Sequence, residues 1–133
     1  MSLVKLLPAW FHAVADYAVG ILLIVVALAA DGSAGATATG VVVGGVVLLV
    51  SALTRYPLGI VKVLPFTIHS AGDYLAAALL IAAPFALNFA DAEGGIAAFY
   101  VVMGIAVLAV SLITNYQYSP KRQTHPGASP VTA

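Results

Sequence analysis

The sequence predicts an all-α integral membrane protein: a four-helix bundle built from two tandem helical hairpins related by a pseudo-two-fold axis. Three observations predict it. Four apolar stretches alternate with short polar turns. Hydrophobic residues make up 62% of the 133 residues and charged residues only 8%. Two parts of the chain also repeat each other. A water-soluble domain carries roughly 25% charged residues. This chain has too few to cover a solvated surface, so lipid is its expected solvent.

The apolar stretches run over residues 9–30, 37–53, 66–90 and 95–113. A helix needs about 17–25 residues to cross roughly 30 Å of hydrocarbon, and each stretch is long enough. "DGSAGAT" separates the first two and "DAEGG" the last two. Turns this short make neighbouring helices antiparallel. The longer central link, "RYPLGIVKVLP", is punctuated by Pro57, Gly59 and Pro65, which interrupt helix. The chain therefore divides into a first two-helix repeat (1–56), a second (57–118) and a tail (119–133). The tail is polar and rich in Pro and Ser, and is expected to be flexible and cytoplasmic.

Lys5 followed by an apolar run and Ala27-Leu28-Ala29 has the outline of a signal peptide. The same segment recurs in mid-chain, where no cleavage is expected, so the run is read as a membrane helix. Four crossings place Lys5, Arg55, Lys62, Lys121 and Arg122 on one side, and Asp31, Asp91 and Glu93 on the other. Basic loops stay inside, so both termini are expected in the cytoplasm. The formal net charge is zero, which gives no reason to expect a nucleic-acid partner. There is no cysteine, which excludes disulfides, thiolate catalysis and iron–sulfur ligation by this chain alone.

The repeat is specific. Residues 3–17, "LVKLLPAWFHAVADY", match 60–74, "IVKVLPFTIHSAGDY", at seven of fifteen positions, including Lys5/Lys62, Pro8/Pro65, His12/His69, Asp16/Asp73 and Tyr17/Tyr74. Residues 41–56 match 101–116 at nine of sixteen, including Ser51/Ser111, Thr54/Thr114 and Tyr56/Tyr116. Apolar helices resemble one another by chance; matched polar residues do not. Two crossings per unit give both copies the same orientation, related by an axis along the membrane normal.

"HAVADY" and "HSAGDYLAAALLIAAPFALNF" resemble the SPW (Ser-Pro-Trp) repeat family of small bacterial and archaeal membrane proteins. The resemblance spans about residues 3–116. The signature tripeptide is replaced by Ala83-Pro84-Phe85 in the second copy and Val26-Ala27-Leu28 in the first. The resemblance implies the repeated two-helix fold and a prokaryotic inner (cell) membrane. It implies no biochemical activity.

Residues i and i+4 share a helix face, so His12 pairs with Asp16, and His69 with Asp73, near the cytoplasmic end of helices 1 and 3. Tyr17 and Tyr74 follow them. Helices 2 and 4 return to the same level with Ser51, Thr54, Arg55 and Tyr56, and with Ser111, Thr114, Asn115 and Tyr116. One polar layer is expected there, with an aliphatic half opposite. A carboxylate inside a membrane helix costs about 2.5–3.5 kcal/mol at the centre and less near the end, so each Asp should face a partner rather than lipid.

Three readings of the layer stay open. His–Asp–Tyr–Thr hydrogen bonds could simply fix helix register. His12, Asp16, His69 and Asp73 could converge on a divalent metal such as zinc. The His–Asp pairs could pass protons. A bis-His haem fits less well. Arg55 answers to Asn115 in the repeat, so only one Asp is expected to have a guanidinium neighbour.

"GVVVG" at 40–44 is a GxxxG on helix 2, of which helix 4 keeps Gly104. It serves either packing within the chain or a dimer seam. Pro84 is expected to kink helix 3. Trp10, Tyr17, Tyr56, Tyr74, Tyr116 and Tyr118 are expected as an interfacial belt. No phosphate-binding loop, zinc-protease motif or nucleophile elbow is present. The expected function is therefore non-enzymatic: a structural or assembly protein in the lipid bilayer, as a homo-oligomer or a subunit of a membrane complex. The alternative is a proton- or divalent-metal-handling protein.

Overall fold

The computed structural model describes residues 6–114. It contains four helices: α1 (Ala9–Ala29), α2 (Ala34–Leu53), α3 (Phe66–Ala86) and α4 (Gly94–Ile113). Lys5, Asn115, Tyr116, Tyr118, Lys121, Arg122 and the tail lie outside the described residues. α1 and α3 each begin immediately after a proline, Pro8 and Pro65. That residue has no N–H to leave unbonded at the helix start. α3 stops at Ala86, short of the expected 90. Two residues past Pro84 the chain turns through Asn88 at φ 57°, and the Pro84 carbonyl accepts the N–H groups of Phe89 and Ala90. Asp31 makes the corresponding turn after α1 at φ 48°. Asn and Asp tolerate this left-handed region.

Each helix has 20 or 21 residues, about 30 Å at 1.5 Å per residue. All four are long and apolar enough to cross a membrane, and only about a third of each is buried inside the bundle. The remaining surface carries exposed Val25, Val42, Leu49, Leu75 and Val102. Water would penalise such a surface, whereas hydrocarbon accepts it. The chain is a small four-helix membrane protein by this criterion.

Hairpins form by close approach of backbones. A Cβ on Gly44 of α2 would lie 2.7 Å from the carbonyl of Gly20 on α1. A Cβ on Gly104 of α4 would lie 2.9 Å from the carbonyl of Ala77 on α3. The two crossings are equivalent in the repeat. Gly40 leaves room for the Tyr100 hydroxyl and for Ala27. The GxxxG is thus used for packing within the chain.

The two hairpins meet along the α2/α3 and α1/α4 seams. α1 and α3 lie on the long diagonal, their Cα traces more than 8 Å apart. Both ends of the bundle are tied across the repeats. At one end Leu7 pairs with Thr114, and Leu64 with Thr54. The Leu7 N–H donates to Ile113 O at 2.8 Å, and the Leu64 N–H to Leu53 O at 2.7 Å. At the other end the Glu93 carboxylate accepts the backbone N–H of Ser33 at 2.7 Å and its hydroxyl.

Candidate functional site

The sequence sets His and Asp one turn apart on α1 and again on α3, one to two turns inside each helix start. The diagonal gap between these helices is filled by the four side chains. His12 Nε2 lies 3.3 Å from Asp16 Oδ1 and 3.0 Å from Asp73 Oδ2. His69 Nε2 lies 3.0 Å from Asp16 Oδ2 and 3.0 Å from Asp73 Oδ1. Each carboxylate thus gives one oxygen to each imidazole, and the four groups close a ring. One ligand atom from each residue lies within 4.8 Å of the others. All four are buried, the two Asp at 8% and 7% exposure.

Helices 2 and 4 fix the outer edges of the imidazoles. Thr54 ends α2 and Thr114 ends α4, both fully buried. Thr114 Oγ1 lies 2.7 Å from His12 Nδ1, and Thr54 Oγ1 lies 2.7 Å from His69 Nδ1. Each threonine donates its one hydroxyl proton to the carbonyl four residues back, Val110 or Val50, at 2.6 Å. The threonine oxygen can then only accept. Nδ1 therefore carries a proton in both histidines, and Nε2 is the atom turned to the carboxylates. Neither carboxylate oxygen lies in line with a ring N–H at His69 Nε2, although both are 3.0 Å away. The ring aims between them.

This geometry suits a cation. Two neutral imidazoles would point lone pairs at two negative carboxylates, which is repulsive. A positive centre among the four, or protons on both Nε2 atoms, removes that conflict. For tetrahedral zinc with bonds of about 2.0–2.1 Å, neighbouring ligand atoms stand about 3.3 Å apart. The imidazole–carboxylate contacts, 3.0–3.3 Å to one or other oxygen of each Asp, are close to that spacing, and one donor atom from each residue lies within 4.8 Å of the rest. The threonines stand where metal-bound histidines usually find an outer partner.

No known protein family, curated protein or solved structure matches this chain.

The remaining expected residues fall in two groups. Arg55 stands outside the layer: it is exposed, and its Nε donates to Lys62 O at 3.1 Å. A guanidinium at the water-facing link keeps its hydration, which burial beside Asp would remove. The guanidinium neighbour expected for one Asp is therefore not Arg55's role in the structure, and each Asp meets both histidines instead. Tyr17 is half-buried and donates to Leu58 O at 2.8 Å, so it ties the link to α1 rather than joining the ring. Tyr74 is also half-buried, one residue after Asp73. Asn115 lies outside the described residues.

Tyr56 corrects the interfacial belt. It is fully buried, and its hydroxyl donates to Asp16 Oδ2 at 3.1 Å. Burial first, then the Asp16 charge, pushes that hydroxyl above the ordinary tyrosine range. Its ring stacks edge-on with Phe66, 5.3 Å between centroids, and Phe66 in turn touches both imidazoles at 5.4 and 5.7 Å. Tyr56 and Phe66 form the floor that separates the ring from the link end. Trp10, 57% exposed, does face outward as a belt residue should.

Beyond the ring, toward the acidic end, the core is apolar, with Leu23, Leu80, Ala36 and Val43. The polar groups there, Thr39 and Tyr100, donate to the carbonyls of Gly35 and Ala36.

Proposed function

We propose that this protein is a non-enzymatic, divalent-metal-binding protein of the prokaryotic inner membrane, with both termini in the cytoplasm and a single ion held by His12, Asp16, His69 and Asp73. One observation carries the reading. The two threonine hydroxyls commit Nδ1 of each imidazole to an outward proton, which leaves both Nε2 atoms convergent with the carboxylates. Two imidazole nitrogens with two carboxylate oxygens is a borderline N/O donor set, suited to zinc and its neighbours rather than to calcium or magnesium. Binding would replace protons, since a ligating Nε2 must be deprotonated. A transmembrane proton relay is the weaker use of the same residues, because an apolar core separates the ring from the acidic end.

A second reading has its own support. Two of the four ring contacts, His12–Asp73 and His69–Asp16, join α1 to α3, and both threonine contacts and both backbone pairings also tie one repeat to the other. The ring can therefore serve as the clasp of a small structural or assembly subunit, working in a homo-oligomer or a larger membrane complex. Metal content separates the two. Full-length protein purified in detergent, stripped with chelator and titrated with Co²⁺ should take up one ion per chain with a visible d–d spectrum. The Asp16→Asn/Asp73→Asn double variant should take up none. A parent protein that binds no Co²⁺ or Zn²⁺ would leave the clasp alone standing.

A further inference from the structure

We infer that the ion in this site carries a fifth, exchangeable ligand, a water or another small oxygen donor, hydrogen-bonded to Ser111 in the crevice between α1 and α4. The inference rests on the metal reading above and deepens it, since a closed four-ligand centre is structural whereas an open position permits exchange and chemistry.

Ser111 is fully buried, and its hydroxyl has no hydrogen-bond partner among the described residues. Hydroxyls in helices ordinarily return to a carbonyl three or four residues back. Thr39, Thr54, Ser70 and Thr114 all do so here. Ser111 does not, although a buried hydroxyl left unbonded is costly. It sits three residues before Thr114, on the same face of α4 as the threonine that holds His12. It therefore faces the level of the ring.

Space is present where the hydroxyl faces. Ser111 lines a crevice of about 50 Å³ together with His12 and Asp16. Such a crevice holds one water from about 10–15 Å³ upward, and the water needs two to four polar partners. Ser111, Asp16 and the ion would supply three. The other described residues that line it, Ala15, Val19, Ala106, Val107 and Val110, are all apolar.

The first repeat supplies the control. Ser51, the counterpart of Ser111, is also fully buried, but its side chain is close to the Tyr56 hydroxyl. The larger crevice between α2 and α3, about 130 Å³, reaches His69 and Asp73 but is not lined by Ser51. The added ligand should therefore depend on Ser111 and not on Ser51.

The test is Mn²⁺-loaded, full-length protein in detergent, equilibrated with ¹⁷O-labelled water and read by electron–nuclear double resonance. The parent should show one coordinated solvent oxygen. Ser111→Ala should keep one Mn²⁺ per chain and lose the ¹⁷O coupling, and Ser51→Ala should keep both. Bound Mn²⁺ with no ¹⁷O coupling in the parent overturns the inference and leaves the metal reading intact. Failure of the parent to bind Mn²⁺, Co²⁺ or Zn²⁺ overturns both. Coupling that survives in Ser111→Ala overturns the role of Ser111. Because the parent measurement needs no substitution, the inference remains testable even if Ser111→Ala does not fold.

Discussion

Thr54 and His69 come from different repeats and lie 2.7 Å apart, and the same contact joins Thr114 to His12. The threonine donates backward to its own helix and accepts from the ring, so it decides which imidazole nitrogen faces Asp16 and Asp73. Thr54→Val or Thr114→Val keeps the shape and removes the acceptor. Outer-sphere losses of this kind cost about 10–100-fold in metal affinity. Competition against a chelator of known affinity should find that loss for Val and near-parent affinity for Thr54→Ser. Equal affinities for Val and Ser would show that the hydroxyl does not orient the ring.

Tyr56 links stability to alkaline pH. Its hydroxyl titrates above the ordinary tyrosine range in the folded protein, and near 10 when unfolded. The folded state then binds more protons than the unfolded state once pH passes about 10, so stability falls as pH rises from there. Below that value the contribution is complete. Thermal unfolding in detergent should show a steeper alkaline loss for the parent than for Tyr56→Phe. Parallel pH profiles for the two proteins would mean that this hydroxyl is not held by burial and Asp16.

The hairpin crossings make a steric prediction. A Cβ at position 44 or 104 meets a backbone carbonyl at 2.7 or 2.9 Å, whereas positions 45 and 72 have nothing within 4 Å. Overpacking of a close contact costs about 1–3 kcal/mol. Gly44→Ala and Gly104→Ala should lower the thermal midpoint, and Gly45→Ala and Gly72→Ala should not. If Gly44→Ala matches Gly45→Ala, the hairpins do not approach as closely as this.

Ser33 and Glu93 precede α2 and α4 at equivalent places in the repeat and bond to each other. Each single change, Ser33→Ala or Glu93→Ala, should cost about 1 kcal/mol. The double variant should cost little more than either, because neighbours in one hydrogen-bonded unit are not additive. Additive losses in a double-mutant cycle would mean that the two act separately.

Much of this was legible without coordinates. Four apolar stretches of spanning length, joined by short turns, require helices, because a backbone in hydrocarbon must satisfy its own hydrogen bonds. The repeat of Pro, His and Asp placed both pairs at the same depth, since two crossings return the chain to the same side. The i, i+4 spacing put each His and Asp on one face.

Only the tertiary structure decided what those faces meet. Helical periodicity orients a side chain around its own axis but does not say which neighbour stands opposite, nor how far away. The closing of α1 and α3 across the diagonal made each Asp a partner of both histidines rather than of the nearest one. Tyr56 read both as a member of the polar layer and as a belt aromatic, and the path of the 54–65 link decided for the layer; Arg55, its neighbour in sequence, went to the water side for the same reason. The residues and their depth were written in the chain. The pairing across repeats, which turns two local motifs into one site, was set by packing.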